Sequence, residues 1–144
     1  MEAIYKKMKN TYLLISADTN TTMKKSWTHW FEIPAADFDR AKKFYETLFS
    51  LQLEVSDFGN FKMAVFPHEE GGAAICWSPD WYTPGPGGPT VYLDAGPDLQ
   101  EVLDRVEGAG GKIVQAKKQI SPAHGYMALF IDSEGNRMAL HSMA

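Results

Sequence analysis

Few side chains in this sequence could do covalent or metal chemistry, and their spacing is already restrictive. The 144 residues include one cysteine, Cys76, and four histidines, His29, His68, His124 and His141. A single cysteine forms no intrachain disulfide and no thiolate zinc cluster. No histidine adjoins Cys76, which reads as a small buried apolar residue more readily than as a nucleophile. His68 precedes Glu69-Glu70 and reads as part of a solvated turn. The run 79–89 (PDWYTPGPGGP) is rich in glycine, as phosphate-cradling loops are, but the lysine and following helix of that motif are missing; it reads as a linker.

Composition excludes some partners. Hydrophobic residues make up 44% and charged residues 22%, ordinary proportions for a chain that buries a core, and the length suits one domain. Net charge is −4, and basic residues occur in short pairs such as Lys24-Lys25 and Lys117-Lys118. A nucleic-acid groove needs a basic stripe to displace counterions, so no nucleic-acid partner is expected. The longest early apolar run, Tyr12 to Ile15, is far too short to span a bilayer or to read as a signal peptide. The expectation is a cytoplasmic protein with no membrane partner.

The elements that would position these groups follow from periodicity. Residues 1–26 show no sustained pattern and include a polar, turn-like ADTNTT at 17–22; Met23 is a second plausible start, although Tyr12 to Ile15 could add an edge strand. They read as a loosely attached extension to a domain spanning 27–144. Trp27 to Pro34 alternates as a strand. Asp37 then caps a helix whose apolar stripe is Phe38, Ala41, Phe44, Tyr45, Leu48 and Phe49. Strands follow at 51–57, 61–66 and 73–78. After the 79–89 linker the pattern restarts: a strand at 90–95, and a helix opened by Pro97-Asp98 with Leu99, Val102, Leu103 and Val106 on one side. Strands at 112–116, 126–131 and 137–142 complete it, with a loop through 121–125. Two tandem βαβββ modules, 27–78 and 90–142, therefore repeat with a period of roughly 60 residues. Neither half covers its sheet alone, so both must share one core. The fold class is α+β.

Three stretches carry a resemblance to a known family: Trp30-Phe-Glu-Ile-Pro-Ala-Ala-Asp37-Phe-Asp-Arg-Ala-Lys-Lys-Phe44-Tyr45, with its D-x-x-R-A-x-x-F-Y helix; Thr90 to Ala95 with 102–114; and Met127 to His141, with Asp132-Ser-Glu-Gly135-Asn136 in place of a D-P-x-G-N hairpin. In this order, on a duplicated pattern, the chain resembles the vicinal-oxygen-chelate superfamily of glyoxalase I, bleomycin-resistance proteins and extradiol dioxygenases. The resemblance implies an open, cup-shaped mixed sheet with helices outside, a substrate and often a divalent metal inside the cup, and a homodimer. It also implies four metal-ligand positions, which fall here on Trp30, Cys76, Thr90 and Ala139. None is an imidazole or carboxylate, so the usual metal site is expected to be missing and no cofactor is expected.

Residues two apart share a strand face, which brings Glu32, Tyr92, Arg137 and His141 to the cup side with the mapped four. Glu32 and His141 are the candidate catalytic pair, as acid and base or as a shifted two-ligand metal site with Tyr92; the plainer alternative is a structural salt bridge or two solvated rim residues. Trp30, Cys76, Thr90, Tyr92, Arg137 and the mouth-loop His124 are the candidate substrate-binding residues. His29 is expected on the helix side, as a core or edge histidine. The leading expectation is a metal-free binder of a small organic molecule, the alternative a glyoxalase-type lyase or isomerase, and the third a protein-interaction module.

Overall fold

The computed structural model describes residues 26–144. What was expected of the first 25 residues, the edge strand and the loose extension, lies outside them. The chain forms β1 (Trp30–Pro34), α1 (Phe38–Phe49), β2 (Glu54–Asp57), β3 (Lys62–Val65) and β4 (Gly72–Trp77), then β5 (Tyr92–Asp94), α2 (Leu99–Val106), β6 (Lys112–Ser121), β7 (Gly125–Ile131) and β8 (Arg137–Ser142). Two mixed four-stranded sheets result, ordered β1-β4-β3-β2 and β5-β8-β7-β6.

Both modules use the same register. β1 lies parallel to β4 with Ile33 opposite Ile75, and β5 lies parallel to β8 with Leu93 opposite Leu140. The Ala35 N–H donates to the Cys76 carbonyl and the Ala95 N–H to the His141 carbonyl, each at 2.9 Å. Each helix then starts at an aspartate whose side chain accepts a backbone N–H of the first turn: Asp37 from Arg40, Asp98 from Gln100.

Alternation decides which face is buried. Ile33, Ile75, Leu93, Met138 and Leu140 turn toward the helices and meet the apolar stripes of α1 and α2 in a single cluster. Phe44 of α1 packs against Phe130 of β7, with ring centroids 6.1 Å apart, so the core crosses between modules. Each fully buried Leu, Ile or Phe contributes about 1.5–3 kcal/mol, and this shared core is what one sheet and one helix could not supply. The Arg105 guanidinium of α2 also donates to the Leu48 carbonyl near the C-terminus of α1 (3.1 Å), where a cation complements the helix dipole.

Several strand boundaries differ from the sequence expectation. β1 begins at Trp30 rather than Trp27, and His29 lies just before it, exposed at the edge of the helix side. β6 continues to Ser121, five residues past the expected end, because the antiparallel pairing with β7 persists through Lys118↔Met127 and Ser121↔Gly125. That pairing is invisible in the alternation of β6, where bulges interrupt the register.

Candidate functional site

The face of the sheets turned away from the helices collects the residues singled out above. On β1 it carries Trp30 and Glu32, both exposed, Trp30 at 38%. The Trp30 ring stands over Gly72, its register partner, where a Cβ would come within 2.6 Å of Cζ3. Any larger residue there would require the ring to shift. On β4 the same face carries Ala74, Cys76 and, just beyond the strand, Ser78, all buried. On the second sheet it carries Tyr92, 52% exposed, with Ala139 and His141 of β8.

Glu32 is held by a residue that strand parity could not reveal. The Tyr82 hydroxyl, from the linker, donates to Glu32 Oε2 at 2.6 Å. Its ring stacks on Phe61 (6.0 Å, 24° between planes), and Phe61 stacks on Phe58. Burial and this bond to Glu32 push the Tyr82 hydroxyl pKa up, so it stays a donor. Cys76 lies beside the pair; burial first, then the Glu32 charge, pushes its thiol up to about 12. At neutral pH it is a thiol, poor as a nucleophile.

The remaining candidates have partners of their own. The His141 Nε2–H donates to the His124 carbonyl at 2.7 Å, so Nε2 carries a proton there. His124 Nδ1 lies 2.8 Å from the Ser121 hydroxyl. Arg137 Nη2 donates to Thr90 Oγ1 at 3.0 Å. Glu32 sits on β1 in one sheet and His141 on β8 in the other, so they are not on neighbouring strands.

Register refines the four ligand positions. Since Ile75 and Leu140 occupy equivalent places, Ala139 corresponds to Ala74, and Cys76 to His141. The quartet becomes Trp30, Ala74, Thr90 and Ala139. Two methyl groups, an indole and a hydroxyl do not fit a divalent ion. Among the described residues no three His, Cys, Asp or Glu side chains gather as metal ligands.

The inner strands complete the wall. Met63 lies opposite Cys76, Met127 opposite His141 and Leu129 opposite Ala139, all half-buried on this face. Sequence reading stopped at the first and last strand of each module, yet the alternation Met127-Ala128-Leu129-Phe130 already showed them. The face is thus an apolar floor with an indole, a phenol and a few anchored polar groups at its edges.

The sequence profile of the glyoxalase/bleomycin resistance protein/dioxygenase superfamily matches residues 27–140. The chain belongs to that superfamily. No curated protein matches it. Among solved structures, a glyoxalase/bleomycin resistance protein from Albidiferax ferrireducens T118 is 18% identical, with TM-score 0.63, covering 81% of this chain and 98% of that one. A glyoxalase-related enzyme from Fulvimarina pelagi is 13% identical (TM-score 0.62; 83% and 88% covered). A superfamily member from Sphaerobacter thermophilus DSM 20745 is 23% identical (TM-score 0.58; 81% and 97%). At these identities the likeness is one of fold.

The motif residues that carry the superfamily resemblance turn out to clasp the two modules together. Glu134 in the β7–β8 hairpin, its side chain fully buried, accepts the N–H groups of Ala36 (3.0 Å) and Asp37 (2.7 Å) and two bonds from Arg40. Asp132 accepts from the Tyr45 hydroxyl (2.6 Å), from the N–H groups of Glu134 and Asn136, and from the Asn136 amide, which also donates to the Pro34 carbonyl. The D-x-x-R helix and the G-N hairpin are two halves of one joint.

Proposed function

We propose that this superfamily member binds a small organic molecule, with an aromatic or extended apolar body, in the cup formed by the helix-free faces of its two sheets. The observation that carries the reading is the character of that wall. The positions where relatives would chelate a metal hold Trp30, Ala74, Thr90 and Ala139, and the floor between them is Met63, Met127 and Leu129. Aromatic and thioether side chains supply adaptable apolar contact, and a few anchored polar groups orient a ligand without reacting with it. Engagement of Glu32 by Tyr82 and of His141 by the His124 carbonyl favours such an orienting role over an acid/base pair. Binding by a homodimer in the cytoplasm belongs to the same proposal.

A thermal-shift screen of aromatic and polycyclic metabolites tests it. A ligand present at about 100 times its Kd should add about 2.7 kcal/mol to stability, and Tyr92→Ala together with Leu129→Lys should abolish the shift. If every such ligand left both proteins unmoved, while Glu32→Gln and His141→Ala removed a lyase or isomerase activity of the wild type, the protein would be an enzyme and the proposal wrong.

A further inference from the structure

The joint made by Glu134 and Asp132 has a pseudosymmetric counterpart that does not close. Between the equivalent pairs Phe130/Met138 and Phe66/Ala73, the second hairpin has seven residues (131–137) and the first has six (67–72). His68 and Gly71 stand where the second hairpin has Asp132 and Asn136. The other side of the joint changes as well. Pro97 has no N–H to offer, the Gly96 N–H is already taken by Asp94 Oδ1 at 3.0 Å, and Glu101 stands three residues after its helix cap where Arg40 stands in α1. By the repeat, the acidic Glu69-Glu70 hairpin would find Glu101 at the position where Glu134 finds Arg40.

What remains is a cavity of about 380 Å³ on the helix side of the sheets, distinct from the cup. Its walls are apolar: Phe31, Phe49, Leu51, Phe66 and Leu93. Its polar edge is Asp94, Thr28 and two imidazoles, His29 and His68. Asp94 takes the place of Pro34, whose carbonyl is capped by Asn136 in the closed joint. Its Oδ2 receives no hydrogen bond from a described residue, and among the described residues no Lys or Arg lines the space. The volume lies at the low end of the range for ligand pockets, roughly 300–1,000 Å³. One fixed negative charge, several acceptors and three phenylalanine rings select against anions and favour a cation with an aromatic body.

We infer that this cavity is a second ligand site, separate from the cup, for a small aromatic amine whose ammonium group pairs with Asp94. The full-length protein should be titrated with tryptamine and, as the uncharged comparison, indole, at about pH 8 where an ordinary imidazole is neutral, following backbone amide shifts by NMR. Tryptamine should shift the amides of Phe66, Gly71 and Leu93. Asp94→Asn should weaken tryptamine by about tenfold or more while leaving indole within about twofold, and Leu51→Trp, which fills the space, should remove both. Shifts confined to Met127, Ala139 and His141 would assign the probes to the cup and overturn the inference. So would no shift at all, or an Asp94→Asn variant that binds both probes as the wild type does; that variant is at a strand end and does not depend on Leu51→Trp folding.

Discussion

The two hairpins that close the modules have the same place in the repeat and opposite fates. The second, Asp132 to Asn136, is sewn into the β1–α1 corner by a buried carboxylate, a tyrosine hydroxyl and an amide. The first, Pro67 to Gly71, meets the β5–α2 corner across an open cavity. Duplication supplied the same backbone twice. The difference comes from a handful of side chains: Arg40 against Glu101, Tyr45 against Val106, Asp132 and Asn136 against His68 and Gly71. One joint carries stability and the other leaves room. A repeat protein can thus hold its halves together at one corner and leave the other open.

The sharpest way to break the comparison is Asp132→Ala. It strands the Tyr45 hydroxyl, the Asn136 amide and two N–H groups, and should cost about 3–5 kcal/mol by urea denaturation, since each buried unsatisfied donor costs about 1–3 kcal/mol. Pro67→Ala, at the matching corner, should stay within about 0.5 kcal/mol. Equal losses at the two positions would mean that the joints are energetically alike.

Glu134 extends the contrast into pH. Burial works to raise its pKa, but Arg40, the Asp37 N–H and Ser133 outweigh it and hold the carboxyl below its ordinary value. A carboxyl depressed in the folded state adds stability that is complete above its unfolded pKa of about 4.3 and is lost as pH falls through the lower folded value. The stability gap between wild type and Glu134→Gln should therefore be constant from about pH 7 to pH 5 and shrink below pH 4. A gap that did not change across this window would remove the charge from the explanation.

The smallest effect comes from partly rebuilding the missing joint. Glu101→Arg restores the cation that α1 carries at Arg40, at the position that the repeat relates to the acidic Glu69-Glu70 hairpin. It should stabilise by a few tenths of a kcal/mol, about what an exposed pair provides, and more at low salt than at high. A loss of stability would show that Glu101 does something other than repel the hairpin.

Periodicity along the chain sets most of the architecture. The apolar stripes of both helices, the aspartate caps, the restart of the pattern after the linker and the strand from Arg137 to Ser142 are local patterns, each set by the 3.6- or 2-residue repeat of the backbone. Alternation likewise placed Ile33, Ile75, Leu93, Met138 and Leu140 toward the helices. The length of β6 was hidden because its continuation is decided by the partner strand and interrupted by bulges. β1 starts three residues later than its pattern suggests, so His29 precedes the strand and sits at its edge.

On its own, the order of residues along this chain determined that two like modules exist, which faces they bury, and that the mapped chelating positions lack chelating groups. Those are properties of single strands and helices, where each side chain's direction follows from its position. Folding alone decided that Tyr82 reaches Glu32 from 50 residues away, that Glu134 locks onto the start of α1, that Ala74 rather than Cys76 answers Ala139, and that the other corner stays hollow. Those depend on pairing register and on the packing of one module against the other, distances that no local periodicity encodes.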